Sequence, residues 1–325
     1  MKTVMRKNFL FLATLALVLG TVQQPGLAQL GKIKDAAGKL GNKVSGPSLL
    51  EGEPPITTSL KDATFGEPSM DGTPTPTPGF TSMMTLERTL NGGFILRPGY
   101  YEMHTQSYCL KAGTHGPGGG DGYLYAPPKG HARDAVMTIV RGSVRHQEIP
   151  QQKIQLLLWA IIARAKFENL SPDLKAVAAQ LLTPQQIATL NRGALDYLPG
   201  PAHDKAMQSV PGPLRQALEA EARLRQMLTD PNSSFAQMEA VAVLSGAAPL
   251  GEGSFTVPAG RWSRHPDGYY VRYLPRSYSY TLTQIWVPEG SGVAGQEYDP
   301  ATHIAVPGNT ARQRLIQSGR SHQVP

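Results

Sequence analysis

A helix running through Leu156-Leu-Leu-Trp-Ala-Ile-Ile162 is apolar on every face, so neighbours must cover it on all sides. That requirement puts it at the centre of a helical bundle. Pro150 stands where a first helical turn tolerates proline, and the run continues from Ile154 to Phe167. Residues 131–245 read as helical around it. Val136, Ile139, Val140 and Val144 share one face. Ser171-Pro172 and Thr183-Pro184 are cap-plus-proline starts, and Gln186 completes a capping box with Thr183. Leu214, Leu218, Leu224 and Leu228 extend the pattern until Asp230-Pro231 stops it.

On both sides of this stretch the period changes to two. Phe94-Ile95-Leu96 and Tyr100 to Leu110 are strand-like runs bounded by Asn91-Gly92-Gly93 and Pro98-Gly99. After Gly251, Tyr269, Val271 and Tyr273 alternate with polar positions behind the turn Pro266-Asp267-Gly268, and Thr281 to Val287 is a further strand. The glycine-rich stretch from His115 to Gly122 lacks the Lys-Ser/Thr ending of a phosphate loop and reads as a mobile surface loop. These patterns predict an α+β fold in three successive parts. A strand-rich opening and a mainly helical domain with a central buried helix occupy residues 81–250. A small β-rich region follows over 251–308, and a loose basic tail over 309–325.

The N-terminus has the features of an export signal. Lys2, Arg6 and Lys7 precede an apolar run from Asn8 to Gly20, and Gly26-Leu27-Ala28 supplies small residues for cleavage after Ala28. Residues 1–28 are thus expected to be a signal peptide, and the protein to be secreted or extracytoplasmic. No later stretch approaches the ~20 apolar residues of a membrane span. Residues 29–45 form a basic arm whose Gly31, Gly38 and Gly41 weaken any helix, and the Pro/Gly/Thr-rich segment to residue 80 reads as an extended linker. Lys2, Arg6 and Lys7 carry three of the seven net positive charges. The remaining basic residues form no patch interleaved with aromatics, which argues against a nucleic-acid partner.

Export makes the cysteine count informative. Cys109 is the one cysteine, so it has no disulfide partner within the chain. Gln155, in the middle of the apolar helix, also needs a reason, because an unpaired buried amide costs about 1–3 kcal/mol. Trp159 lies four residues on, on the same helical face. A thiolate brought against that carboxamide could displace ammonia and leave a Cys–Gln thioester, which lasts only where water is excluded.

At Tyr108-Cys109-Leu110 and Ile154-Gln155-x-x-Leu158-Trp159 the chain resembles the thioester domains of bacterial surface adhesins, and Ile149-Pro150 fits their run-in to the glutamine helix. The cysteine and glutamine stand closer in sequence than in that family, which usually places a sheet-rich insertion between them. The resemblance implies a thioester between Cys109 and Gln155, shielded by Tyr108 and Trp159. It also implies single-turnover acylation of an amine or hydroxyl on a surface protein or glycan, with no cofactor.

Other readings of the same residues stay open. Cys109 and Trp159 can be ordinary core, with Gln155 bonding a strand end, in a non-catalytic secreted structural or binding module. His104, His115, His131 or His146 could serve Cys109 as the base of a cysteine hydrolase, although such nucleophiles commonly sit at a helix N-terminus and Cys109 ends a strand. The same side chains lack a zinc-ligand spacing. Trp262, His265, Asp267, Tyr269 and Tyr270 form an aromatic-polar cluster that suits a sugar or, more simply, cross-strand pairing.

Overall fold

Strand β3 (Gly99–Cys109) organises the fold because both of its edges are used, by different parts of the chain. The structure, a computed structural model, describes residues 54–195, 210 and 212–322, apart from 64, 74 and 78. The expected signal peptide, the basic arm and the first part of the linker lie outside the described residues. The other strands are β1 (Thr81–Ser82), β2 (Phe94–Ile95), β4 (Thr114–His115), β5 (Tyr123–Ala126), β6 (Val243–Leu244), β7 (Ser263–Arg264), β8 (Tyr270–Ser277), β9 (Tyr280–Val287), β10 (Glu297–Tyr298), β11 (Ile304–Pro307) and β12 (Leu315–Ser321). The helices are α1 (Arg133–Gly142), α2 (Gln151–Ile162), α3 (Pro172–Leu181), α4 (Pro184–Arg192), α5 (Gly212–Met227) and α6 (Phe235–Ala242).

The main sheet runs β5-β11-β12-β3-β9-β8-β7, with β1 pairing parallel to β3. Its two ends come together where the Tyr125 N–H on β5 donates to Ser263 Oγ on β7, 2.8 Å away. The result is a nearly closed, mostly antiparallel barrel. Tyr101, Met103, Thr105 and Ser107 alternate inward along β3. The small hydroxyls among them are satisfied locally: Thr105 donates to the Thr281 carbonyl (2.9 Å) and Thr281 to Ser107 Oγ (3.0 Å).

The expected arrangement of strand-rich opening, helical domain and separate β-rich C-terminal region is therefore wrong. Strands from before and after the helices interleave in one sheet, so helix and strand are mixed within a single core. The physical reason lies in the pairing, which is non-local: local periodicity marks a strand but does not name its partner. The basic tail is the sharpest correction. Residues 315–320 are all buried, as the strand between β11 and β3. They look polar because Gln317, Ser318 and Arg320 are internal yet bonded. Arg320 donates to the Ile149 carbonyl (2.9 Å) and the Gln147 carbonyl (3.2 Å).

The linker and loop expectations also change. From residue 54 onward the segment is strapped to the body: Thr57 pairs with Lys129, Ile56 and Ala63 are buried, and Asp71 pairs with Arg261 (2.6 Å). The glycine-rich loop is anchored by Arg312, which pairs with Asp121 (2.7 Å) and donates to the Gly116 carbonyl (2.7 Å).

The helical expectations fared differently. Pro150 stands just ahead of the first turn, at the N-cap position of α2; all of residues 154–162 are buried, and α1, α3, α5 and β3 surround that helix. Thr183 and Gln186 form the capping box of α4. No helix among the described residues is long and apolar enough to cross a membrane.

Candidate functional site

The site forms where β9 stops following β3. Gln106 still pairs with Tyr280, and the Ser107 N–H donates to the Ser279 carbonyl at 3.0 Å. Beyond that point helix α2 takes over the edge. Gln151 Nε2 donates to the carbonyls of Ser107 (3.1 Å) and Ser279 (2.7 Å). Gln155 Oε1 accepts the Cys109 N–H at 2.9 Å, and Gln155 Nε2 donates to the Cys109 carbonyl at 3.1 Å. Four helical residues advance about 6 Å and two strand residues about 6.8 Å. Glutamines one turn apart can therefore meet alternate residues of an extended strand. On its other edge Cys109 is opposite Leu315 of β12.

The sulfur has its own partner. Trp159 Nε1–H donates to Cys109 Sγ at 3.0 Å, and the Trp159 ring stacks on Phe235 of α6 at 5.5 Å and 24°. Cys109 and Trp159 are fully buried, and Gln155 is 2% exposed. Burial pushes the thiol pKa up to about 12; the Trp159 hydrogen bond opposes that rise and the charge of Glu239 adds to it. Glu239, on α6, accepts a hydrogen bond from the Tyr278 hydroxyl in the β8–β9 turn, and both residues are half-buried. This arrangement can hold a neutral thiol and a fixed carboxamide together, out of water.

The residues expected from the sequence are only partly brought together. Cys109, Gln155 and Trp159 meet. Tyr108 turns by strand alternation to the other face of β3, where its hydroxyl donates to Gln106 Oε1 (3.1 Å) and burial pushes its pKa up to about 12. His104 bonds to the Tyr280 hydroxyl (2.5 Å) and His146 pairs with Glu148 (3.0 Å). His115 sits on β4 and His131 beside Arg164 and Gly193, and no histidine is among the hydrogen-bond partners of Cys109 Sγ in the described residues. Groups of three or more His, Cys, Asp or Glu side chains fit to hold a metal ion are absent among the described residues.

The aromatic-polar cluster divides. Tyr269 is buried, with its hydroxyl 2.8 Å from His303 Nε2, whereas Tyr270 stacks on Trp286 across β8 and β9 at 4.8 Å. Trp262 is buried too, under the Arg272 guanidinium. Tyr270 and Trp286 are a cross-strand pair of the kind that stabilises a sheet.

Gln151, Phe235, Glu239 and Tyr278 were not anticipated. Gln151 had a usable signal, its one-turn spacing from Gln155. The other three had none, because nothing local ties residues 235–239 or 278 to Cys109. Compared with protein-family models, curated proteins and solved structures, the chain matches none.

Proposed function

We propose that this is an exported protein that closes an internal thioester between Cys109 and Gln155 and then attaches covalently to an amine or hydroxyl on a target surface. The observation that carries the reading is the carboxamide of Gln155 held on both sides by the main chain of Cys109, inside a buried site. Addition of Sγ to Gln155 Cδ would move negative charge onto Oε1, which already accepts the Cys109 N–H, the kind of donor that stabilises an oxyanion. The C–N bond then breaks. Nε2 leaves as ammonia, taking the thiol proton, and the thioester remains. Attack on Cδ by an outside amine or hydroxyl returns the thiol and leaves an amide or ester at Gln155, once per molecule.

A second reading has its own observation. Gln151 caps Ser107 and Ser279 as Gln155 caps Cys109, so both glutamines can serve as a purely structural edge of the sheet in a non-catalytic binding module. Intact mass of the purified, processed protein separates the two. The thioester form is lighter by about 17 Da, the mass of lost ammonia, and methylamine restores and exceeds the full mass. A full-mass protein that releases one reactive thiol on unfolding leaves only the structural reading.

A further inference from the structure

Two elements from different parts of the fold pack against the residues that hold Cys109. One is α6, whose Phe235 stacks on Trp159. The other is the β8–β9 turn, anchored where the Ser279 carbonyl accepts both the Ser107 N–H and Gln151 Nε2. Glu239 follows Phe235 by one helical turn, so the two share a face of α6. Tyr278 adjoins Ser279, and its hydroxyl donates to Glu239 Oε1, which ties the two elements together. Both residues are half-buried, whereas Cys109 is fully buried.

The geometry points to Glu239 as the proton acceptor for the nucleophile that opens the Cys109–Gln155 bond, with Tyr278 as the latch that the nucleophile displaces on its way in. This inference rests on the thioester reading. With the Tyr278 hydroxyl moved aside, the Glu239 carboxylate takes a proton from the amine as its nitrogen forms a bond to Gln155 Cδ. The C–S bond breaks with its electron pair on Sγ, and the proton passes from Glu239 to the sulfur. Amine and thioester become amide and thiol, and nothing is oxidised or reduced. Burial favours the thiol over the thiolate there, so the returned proton stays. Burial first, then the hydrogen bond to Glu239 and its charge, raise the pKa of Tyr278, and the charge of Glu239 adds to the rise that burial imposes on the thiol.

The test follows methylamine incorporation by intact mass in the wild-type protein and in Glu239→Gln, Glu239→Ala and Tyr278→Phe. Glutamine at 239 keeps an acceptor for Tyr278 but cannot take the proton. All four proteins are expected to begin about 17 Da light. Glu239→Gln should then react about a hundredfold more slowly, the scale of general-base assistance. Acetate should restore the rate of Glu239→Ala, which a packing defect would not permit, and Tyr278→Phe should react several-fold faster. Equal rates in Glu239→Gln and wild type, both starting light, overturn the role of Glu239 and leave the thioester standing. So does an acetate-insensitive Glu239→Ala. A Glu239→Gln protein that never becomes light also overturns it, by placing Glu239 in forming the bond. Full mass in the wild type removes the thioester and this inference together.

Discussion

Gln151 and Gln155, one turn apart on α2, serve main-chain groups of Ser107 and Cys109, two residues apart on β3. A helix here does the work of a missing strand. The arrangement accounts for Gln151 and for Gln155, the polar residue within the buried run 154–162, and it does so whether or not a thioester forms. It also fixes the Gln155 carboxamide with both of its polar atoms engaged, so the group cannot rotate away from the cysteine without leaving that residue's peptide groups unpaired.

Gln155→Ala should therefore cost about 2–4 kcal/mol, because the Cys109 N–H and carbonyl both lose their partner in a buried place. Gln151→Ala should cost less, about 1–2 kcal/mol, since the Ser107 carbonyl loses this donor but the Ser279 carbonyl keeps the Ser107 N–H. Denaturant unfolding of the two variants checks the order. Equal losses would mean that the two glutamines are not the unequal clamps described.

Trp159→Phe keeps an aromatic ring against Phe235 but removes the donor at Cys109 Sγ. The expected loss is about 1–3 kcal/mol, from one buried hydrogen bond and a smaller ring. Trp159→Ala should lose about 3–5 kcal/mol. A Trp159→Phe protein as stable as wild type would show that the indole N–H contributes nothing at the sulfur.

How much of this was legible in the sequence depended on whether the signal was local. The buried helix at 151–162, the capping box at Thr183 and the strand ending at Cys109 are matters of periodicity and capping, and each could be read. The meeting of Cys109, Gln155 and Trp159 followed from two short motifs, whereas Tyr108 failed because strand alternation turns it away from its neighbour. The barrel could not be read. Its strand β12 buries Gln317, Ser318 and Arg320; Gln317 bonds within the strand, to the Leu315 carbonyl, and Ser318 and Arg320 bond other segments, so an apparently polar tail becomes core. Only the partners, far away in sequence, reveal this.

The position of β12 makes the C-terminus indispensable. A chain ending at Gly308 lacks the strand between β11 and β3 and exposes both of their edges, so it should not give a cooperative unfolding transition. A milder probe is Gly319→Ala. An added Cβ there runs into the Gly92 carbonyl oxygen, beside the Arg88 guanidinium that holds both residues. Such overpacking should cost about 1–3 kcal/mol. Native-like melting of the shortened chain would contradict the central placing of β12.

His303 sets an acid limit on stability. It is 1% exposed; its Nδ1 lies 2.9 Å from the Asp299 carbonyl, its Nε2 faces the Tyr269 hydroxyl, and the His265 ring stacks on it at 4.9 Å. Burial first, and the charge of His265 second, hold its pKa well below 6.5. Burial also lowers the pKa of His265 against the pull of Asp267. Below pH 6.5 the unfolded chain takes up protons that these folded imidazoles refuse, so their contribution is full above that pH and is lost as pH falls. Each proton steepens the loss by up to about 1.4 kcal/mol per pH unit. Glu221 acts the other way. Burial raises its pKa from 4.5 to about 7, so its contribution is full below 4.5 and disappears as pH rises through 7. Unfolding midpoints between about pH 5 and about pH 8 should thus fall less steeply toward acid in His303→Gln than in wild type, while Glu221→Gln should flatten the neutral side. Parallel acid limbs in His303→Gln and wild type would mean that another group carries the acid sensitivity.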